Sequence, residues 1–378
     1  MNRARLLGVM LLFAAGAYAQ DEESRKWSLD GYIKDLVTLN IPEGGDSVLW
    51  DNLIHNRVNF RWFPTDQFTF RMDLRTRLFH GDLVRTIPNY GDLIDVNDDF
   101  LDLSARPIDG EGVVLHTMID RAYVQWKQDT WELTAGRQRI NWGVNLAWNP
   151  NDIFNAYSFF DFDYEERPGS DAIRFQRYIG FAGSLQVATK ITDRLDELTS
   201  AFLYKWNYKG YDMQLLTGVM RENVTIGGAW AGNLKLAGFK GEFTYFEPWN
   251  DEDKRTFLGS ISVDYSFSNS LYLNGSFLYN SAADGNNPLF LQSAANLDVR
   301  ALSPFTWSTF LQSSYPINPL LNGGMSIIYY PGEPGIFLNP FMTYSVSTNL
   351  DLDLIGQFFV QGEPAAVSLL YFRVKYSF

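Results

Sequence analysis

Period-two alternation of apolar and polar residues, in segments of about ten residues with turn residues between them, constrains this chain more than any other feature. From Phe68 to Leu78 the even positions are mostly apolar, whereas Arg71, Asp73, Arg75 and Arg77 occupy odd ones. Phe257, Ile261, Val263, Tyr265 and Phe267 alternate with Leu258, Ser260, Ser262, Asp264 and Ser266, and Leu350, Leu352, Leu354 and Phe358 alternate with Asp351, Asp353 and Gln357. Successive side chains on a strand point to opposite faces, so each segment has one apolar and one polar face. In a soluble sandwich the apolar faces must meet each other. In a transmembrane barrel they meet lipid, and closure gives every backbone donor and acceptor a partner. Aromatic residues make up 16% of the chain, yet its mean hydropathy is −0.18, because the rings alternate with Asn, Ser, Thr, Asp and Gly. That pattern suits lipid outside and water inside.

The alternation predicts strands near 27–39, 52–63, 67–79, 117–127, 131–140, 170–177, 182–190, 198–206, 211–219, 224–232, 238–247, 255–267, 270–281, 303–314, 321–330, 335–346, 350–360 and 366–378. The fold class is therefore all-β: an antiparallel transmembrane β-barrel of about 18 strands. Sixteen is the alternative, because 170–190 is short and irregular. Connections alternate in character. Short ones at 64–67, 128–130, 268–269 and 348–349 would face the periplasm, and long ones at about 40–51, 80–116, 141–169 and 282–302 would lie on the other side. The first strand begins at once, which leaves no room for a plug domain.

The amino end sets the expected compartment. Arg3 and Arg5 precede an apolar run from Leu6 to Ala15, and Ala17-Tyr18-Ala19 follows with small residues where signal peptidase needs them. Residues 1–19 read as a signal peptide cleaved after Ala19, and 20–378 as a single barrel domain. The apolar run is too short to span a membrane, which takes about 20 residues. The formal charge is −13, which argues against nucleic acid as a partner. There are no cysteines, so disulfides, thiolate metal sites and a lipoprotein anchor are excluded. His55, His80 and His116 are far apart in sequence, so no metal site and no cofactor is expected. No nucleophile motif accompanies any of them, so an enzyme is not expected.

At the carboxyl end Leu370, Phe372, Val374, Tyr376 and Phe378 alternate with Arg373, Lys375 and Ser377. This resembles the carboxyl-terminal signature of Gram-negative outer-membrane barrel proteins. The resemblance implies that Phe372, Val374, Tyr376 and Phe378 are read by the barrel-assembly machinery and that the strand closes the barrel. It also implies outer-membrane lipid and lipopolysaccharide as surroundings. A second block, Gly136-Arg137-Gln138-Arg139-Ile140-Asn141-Trp142-Gly143, then 149–155 and 167–174, is similar to the alginate-export and related porin families. It covers about 40 residues and implies a channel.

The residues add a physical reading of their own. Arg57, Arg61, Arg71, Arg75, Arg77, Arg121 and Arg174 lie on the polar parity of their strands and are expected to line the lumen as a basic wall. Parity sends Arg137 and Arg139 outward, at a cost of about 2–4 kcal/mol each near the bilayer midplane. A bulge at Gly136 is expected to turn them inward; the alternative is that they lie beyond the hydrocarbon. The connection 141–169 is the candidate constriction, with Trp142, Trp148, Asp152, Asp161, Asp163, Glu165 and Glu166. Folded inward, its acids would oppose the arginines across a narrow eyelet; folded outward, its rings would pack on the rim. The arginines would otherwise pair with lumenal acids such as Asp73 and Glu132. The expected function is passive diffusion of small hydrophilic solutes, anionic or saccharide. A non-conducting scaffold or adhesin and an exopolysaccharide export pore are the alternatives.

Overall fold

The computed structural model describes residues 26–42, 47–97, 99–250, 254–283, 298–333, 335–361 and 366–378. The signal-peptide segment 1–19 lies outside the described residues.

Three long strands open the chain: β1 (Trp27–Pro42), β2 (Leu49–Thr65) and β3 (Phe68–Gly81). After two single-turn helices, Asp82–Thr86 and Tyr90–Ile94, come β4 (Ser104–Gly110), β5 (Val113–Lys127), β6 (Trp131–Gln138), β7 (Ser170–Ile179) and β8 (Gly183–Lys190). The next five are β9 (Thr199–Tyr208), β10 (Tyr211–Met220), β11 (Asn223–Leu234), β12 (Ala237–Pro248) and β13 (Thr256–Ser266). The chain ends with β14 (Tyr272–Asn280), β15 (Trp307–Asn318), β16 (Leu321–Tyr329), β17 (Gly335–Ser347), β18 (Leu350–Gln361) and β19 (Ala366–Ser377). All pair antiparallel in one sheet, and β1 bonds to both β2 and β19, so the sheet closes.

Of these 19 strands, β4 stands outside the ring. It pairs only with β5, from Ser104↔Met118 to Gly110↔Val113, on the edge that β6 leaves free beyond Arg137. The closed wall therefore has 18 strands, and the sixteen-strand alternative falls. Residues 80–116, read from the sequence as one long connection, contain β4. Its residues Ser104-Ala105-Arg106-Pro107 lack the alternation that marks the others.

The two faces follow side-chain parity. On β18 Leu354 is 57% exposed on the outer wall, while the neighbouring Asp353 is 4% exposed inside. At the end that carries the short turns, outward rings form a belt: Phe68 stacks on Trp126 at 5.6 Å, and Trp126 meets Trp131 at 4.8 Å. Such girdles mark the interfaces of transmembrane barrels. The turn Lys209-Gly210 has two positive φ values (52° and 83°), which suits a tight hairpin between right-twisted strands.

The β1–β19 ladder that closes the ring is extended at its end by Gly31 and Phe378. The Phe378 N–H donates to Gly31 O at 2.9 Å, and the Gly31 N–H donates to Phe378 O at 3.0 Å. A Cβ at position 31 would stand 2.2 Å from Arg57 O and 2.9 Å from the Phe378 ring, so only glycine lets the final ring lie flat there.

The interior departs from a uniformly wet lumen. Toward the long-connection end, the inward faces of β9–β18 carry Leu203, Leu216, Phe246, Leu258, Leu278, Phe310, Ile328, Phe337 and Phe359, all buried. They form one apolar cluster with residues of the connection after β6. That connection supplies the partners these side chains would otherwise lack.

Candidate functional site: an inward loop and a basic wall

The chain leaves the wall at Gln138 and does not return until Ser170. The intervening segment crosses the lumen, because its apolar side chains fit the apolar half of the interior. Trp148 packs edge-on against Phe310, as does Phe159 (centroids 6.1 and 4.8 Å), and Phe160 sits against Phe337 and Phe359 (4.8 and 5.4 Å). Burying each such side chain contributes about 1.5–3 kcal/mol. Trp142 is buried, donates Nε1–H to Gln186 Oε1 at 3.0 Å, and meets Phe154 edge-on.

The first half of the loop is a self-capped turn. Asp152 accepts the backbone N–H groups of Trp142 (2.6 Å) and Gly143 (3.0 Å), and Asn149 Oδ1 accepts that of Asn145 at 3.0 Å. Burial pushes the Asp152 carboxyl up to about 6, against those two donors. The turn is fixed to the wall by Glu242 of β12, which accepts N–H groups from Val144, Asn145 and Asn151 at 3.1, 3.0 and 3.1 Å. Thr244 Oγ1 donates to Pro150 O and Asn151 Oδ1, and Asn145 bonds Ser260 and Ser262 of β13.

The second half is acidic and docks on the opposite wall, β1, β2, β5 and β19. Asp163 lies 2.8 Å from Lys34 Nζ and takes a 2.8 Å hydrogen bond from His55 Nδ1. His55 Nε2 in turn accepts from Arg75 Nε at 3.2 Å, which assigns the imidazole proton to Nδ1. Burial alone would raise the Asp163 carboxyl. The His55 hydrogen bond and the Lys34 charge outweigh it and hold the group well below the usual carboxylate range. Glu165 bonds Lys375 and Arg373 of β19, and Glu166 accepts from Tyr32 and stands 3.7 Å from Arg57. Asp161 accepts the Tyr164 N–H. Asp163, Glu165 and Glu166 therefore touch the basic wall directly and do not face it across an open eyelet, whereas Asp161 is used within the loop.

The arginines on lumenal parity are largely paired. Arg57 is fully buried between Asp73 (2.9 Å) and Asp120 (2.5 Å), and Arg71 also bonds Asp73. Arg61 lies 3.9 Å from Asp30, and Arg174 bonds Glu132. The Arg75 guanidinium covers the Tyr164 ring at 3.8 Å. Arg77 donates to Ile94 O and contacts His116. Arg121 donates to the carbonyls of Asp120, Glu166 and Arg167. A register shift between Asp73 and Leu74 leaves Asp120 as an extra residue on β5, so Asp120 and Arg121 are both available to the interior.

The expected bulge at Gly136 is absent. Although Gly136 has φ +117°, β6 keeps register with both β5 (Ala122↔Arg137) and β7 (Arg137↔Asp171). Arg137 stays on the outward parity, shared with Ala135 and Ile173. Its charge is met by Asp171 at 2.9 Å and by Leu101 O and Asp99 of the β3–β5 connection, which cover it. Arg139 does turn inward, because the chain has left the strand.

A polar recess of about 160 Å³ lies against β3 and β5–β7, lined by Arg71, Arg121, Arg139, Arg174, Tyr123 and Gln125 among others. Sequence reasoning missed Lys34, His55 and Glu242. Each lies on lumenal parity, which was readable, but their partners come from a loop whose path was not.

A closed ring of 18 antiparallel strands with a chain-crossed lumen defines the porin-type barrel class. Comparison with known proteins agrees. No family model matches the chain, and no curated protein matches it. Among solved structures, OccAB4 of Acinetobacter baumannii matches with a TM-score of 0.57 and 10% identity, over 95% of this chain and 100% of that one. OccK3 (OpdO) of Pseudomonas aeruginosa matches with a TM-score of 0.58 and 9% identity, over 93% and 95%. OccD3 (OpdP) of the same organism gives 0.55 and 10%, over 96% and 93%. At such identity the likeness is one of fold.

Proposed function

We propose that this chain is an outer-membrane channel that passes small hydrophilic solutes, anions before cations, by passive diffusion past the inward loop. The observation that carries the reading is the polar recess where Arg71, Arg121, Arg139 and Arg174 converge. Selectivity follows the field in the constriction and not the net charge, so an acidic protein can prefer anions. The two halves of the lumen differ in kind: guanidinium groups on β2, β3, β5 and β7, and aliphatic and aromatic groups on β9–β18. A solute held at the recess therefore meets guanidinium groups together with Tyr123, Gln125, Thr134 and Gln138. Saccharide solutes belong to the same reading, because the Tyr123 ring and the amide and hydroxyl groups of Gln125, Gln138 and Thr134 line the recess beside the arginines.

In the same proposal, residues 1–19 direct export, the short turns face the periplasm, and Phe378 presents the last strand to the assembly machinery. The block resembling alginate-export proteins coincides with the inward loop, so that resemblance concerns the constriction. An exopolysaccharide would need the loop displaced.

A second reading, a non-conducting scaffold, is favoured by one observation: the loop's buried apolar side chains pack into one cluster with the inward faces of β9–β18. Planar-bilayer recording of the refolded protein separates the two. Discrete conductance steps with a reversal potential of anion sign support the channel, and a silent, correctly folded barrel supports the scaffold.

A further inference from the structure

Among the described residues Glu242 is the one acid on the inward faces of β9–β18 that bonds the loop. It is 1% exposed and sits mid-strand on β12. Among the described residues no lysine or arginine forms an ion pair with it. Both carboxylate oxygens are used instead by three backbone N–H groups of one turn, those of Val144, Asn145 and Asn151. An acceptor that collects several N–H donors fixes backbone geometry far more narrowly than apolar contact, which is non-directional. Its neighbours extend the same attachment: Thr244 holds Pro150 and Asn151, Gly228 O takes Asn151 Nδ2–H at 3.1 Å, and Ser262 donates to Asn145 Oδ1 at 2.7 Å.

The turn begins five residues after Arg139, which lines the recess, and the loop's far end is fixed on the basic wall by Asp163, Glu165 and Glu166. The loop is thus a beam with two supports. A shift at either support changes the gap beside the arginines.

We propose that Glu242 is the positioning residue of the constriction: by holding the turn 144–151 to β12 it sets the width of the passage on the arginine side. This rests on the channel reading given above. It does not require Glu242 to touch the solute.

The absence of native cysteines makes a direct test clean. Ala147, in the middle of the turn, is 2% exposed, and cysteine is close to it in size. Ala147→Cys is introduced alone and together with Glu242→Ala or Glu242→Gln, and labelling by a small water-soluble thiol reagent is timed in the folded, heat-modifiable barrel. Each protein without the cysteine is recorded in planar bilayers. Glu242→Ala should speed labelling about tenfold or more, since three hydrogen bonds to one buried side-chain acceptor are lost. It should also raise single-channel conductance and add flicker. Glu242→Gln, which keeps one carbonyl acceptor, should fall between. Labelling at the unaltered rate in Glu242→Ala overturns the proposal, whatever the conductance. Faster labelling with unchanged conductance in a conducting channel overturns it too, because the turn then moves without setting the width. If the unaltered protein passes no current, the channel reading fails; the labelling series then still decides whether Glu242 holds the turn. A lower unfolding midpoint with neither effect assigns Glu242 to stability alone.

Discussion

Replacing Asp163 by alanine is the sharpest perturbation of the loop's basic-wall support. Asp163 is shared by Lys34, whose side chain has no exposure, and His55, likewise fully buried, both at 2.8 Å. Removing it leaves an ammonium inside the barrel with Glu165 at 3.8 Å as its nearest remaining acid. Breaking a buried pair from one side costs about 3–5 kcal/mol. The lower end applies here, since Glu165 partly compensates and the Asp163 carbonyl still accepts from Lys34 at 2.6 Å. About 3 kcal/mol corresponds to roughly a hundredfold rise in the undocked population. The apolar double replacement Lys34→Met with Asp163→Leu removes both charges together and should lose much less. A cysteine at Ser158, which is buried in the loop and nearly isosteric with cysteine, reports undocking by its labelling rate. Heat-modifiable mobility should stay normal, because no barrel strand is altered. If Asp163→Ala labels at the unaltered rate, or if the double replacement is as disruptive as the single one, the ionic support does not hold the loop.

The same carboxyl gives a pH window. Its folded value is depressed, so its contribution is complete above the unfolded value of about 3.9 and is lost as pH falls below it; labelling at Ser158→Cys, corrected for thiol ionisation, should be flat from pH 7 to 5 and rise below about 4. Asp152 has the opposite sign: its carboxyl is raised to about 6, so its contribution is lost as pH rises through 6, and Ala147→Cys, corrected for thiol ionisation, should label faster at pH 8 than at pH 5. Converting Arg71, Arg121 and Arg139 to serine should move reversal potentials from anion toward cation preference. That shift should shrink with salt as the Debye length falls from about 10 Å at 0.1 M to about 3 Å at 1 M; an unchanged potential would leave these residues as lumenal filler. Deleting Phe378 removes both hydrogen bonds to Gly31 and should reduce the heat-modifiable barrel in outer-membrane fractions, whereas normal yield would show that closure does not depend on it.

The strand count, the closure and the two faces of the wall were legible in the sequence for a local physical reason. A strand in lipid must alternate, and every backbone group must be paired, so residues such as Leu354 beside Asp353 and Phe372 beside Arg373 carry their orientation in their own parity. Local parity has limits. It treated the inward face as wet, although Leu258 and Leu278 share that face with Ser260 and Ser276. Parity names the side on which a residue lies, not what covers it there. Arg137 shows the same limit from outside: its sequence position demanded a compensation, and a bulge at Gly136 was the local answer. The molecule uses Asp171 on the next strand and a distant stretch around Leu101. β4 escaped notice because its stability comes from the free edge of β5 and not from its own pattern. The path of residues 139–169 was decided by tertiary structure alone. Its rings needed the apolar lumen of β9–β18, its acids needed Lys34, His55 and Lys375, and its turn needed Glu242, all contributed by strands far away in the chain. Short-range periodicity fixes which way a side chain points, and only closure of the barrel brings those partners within reach of one loop.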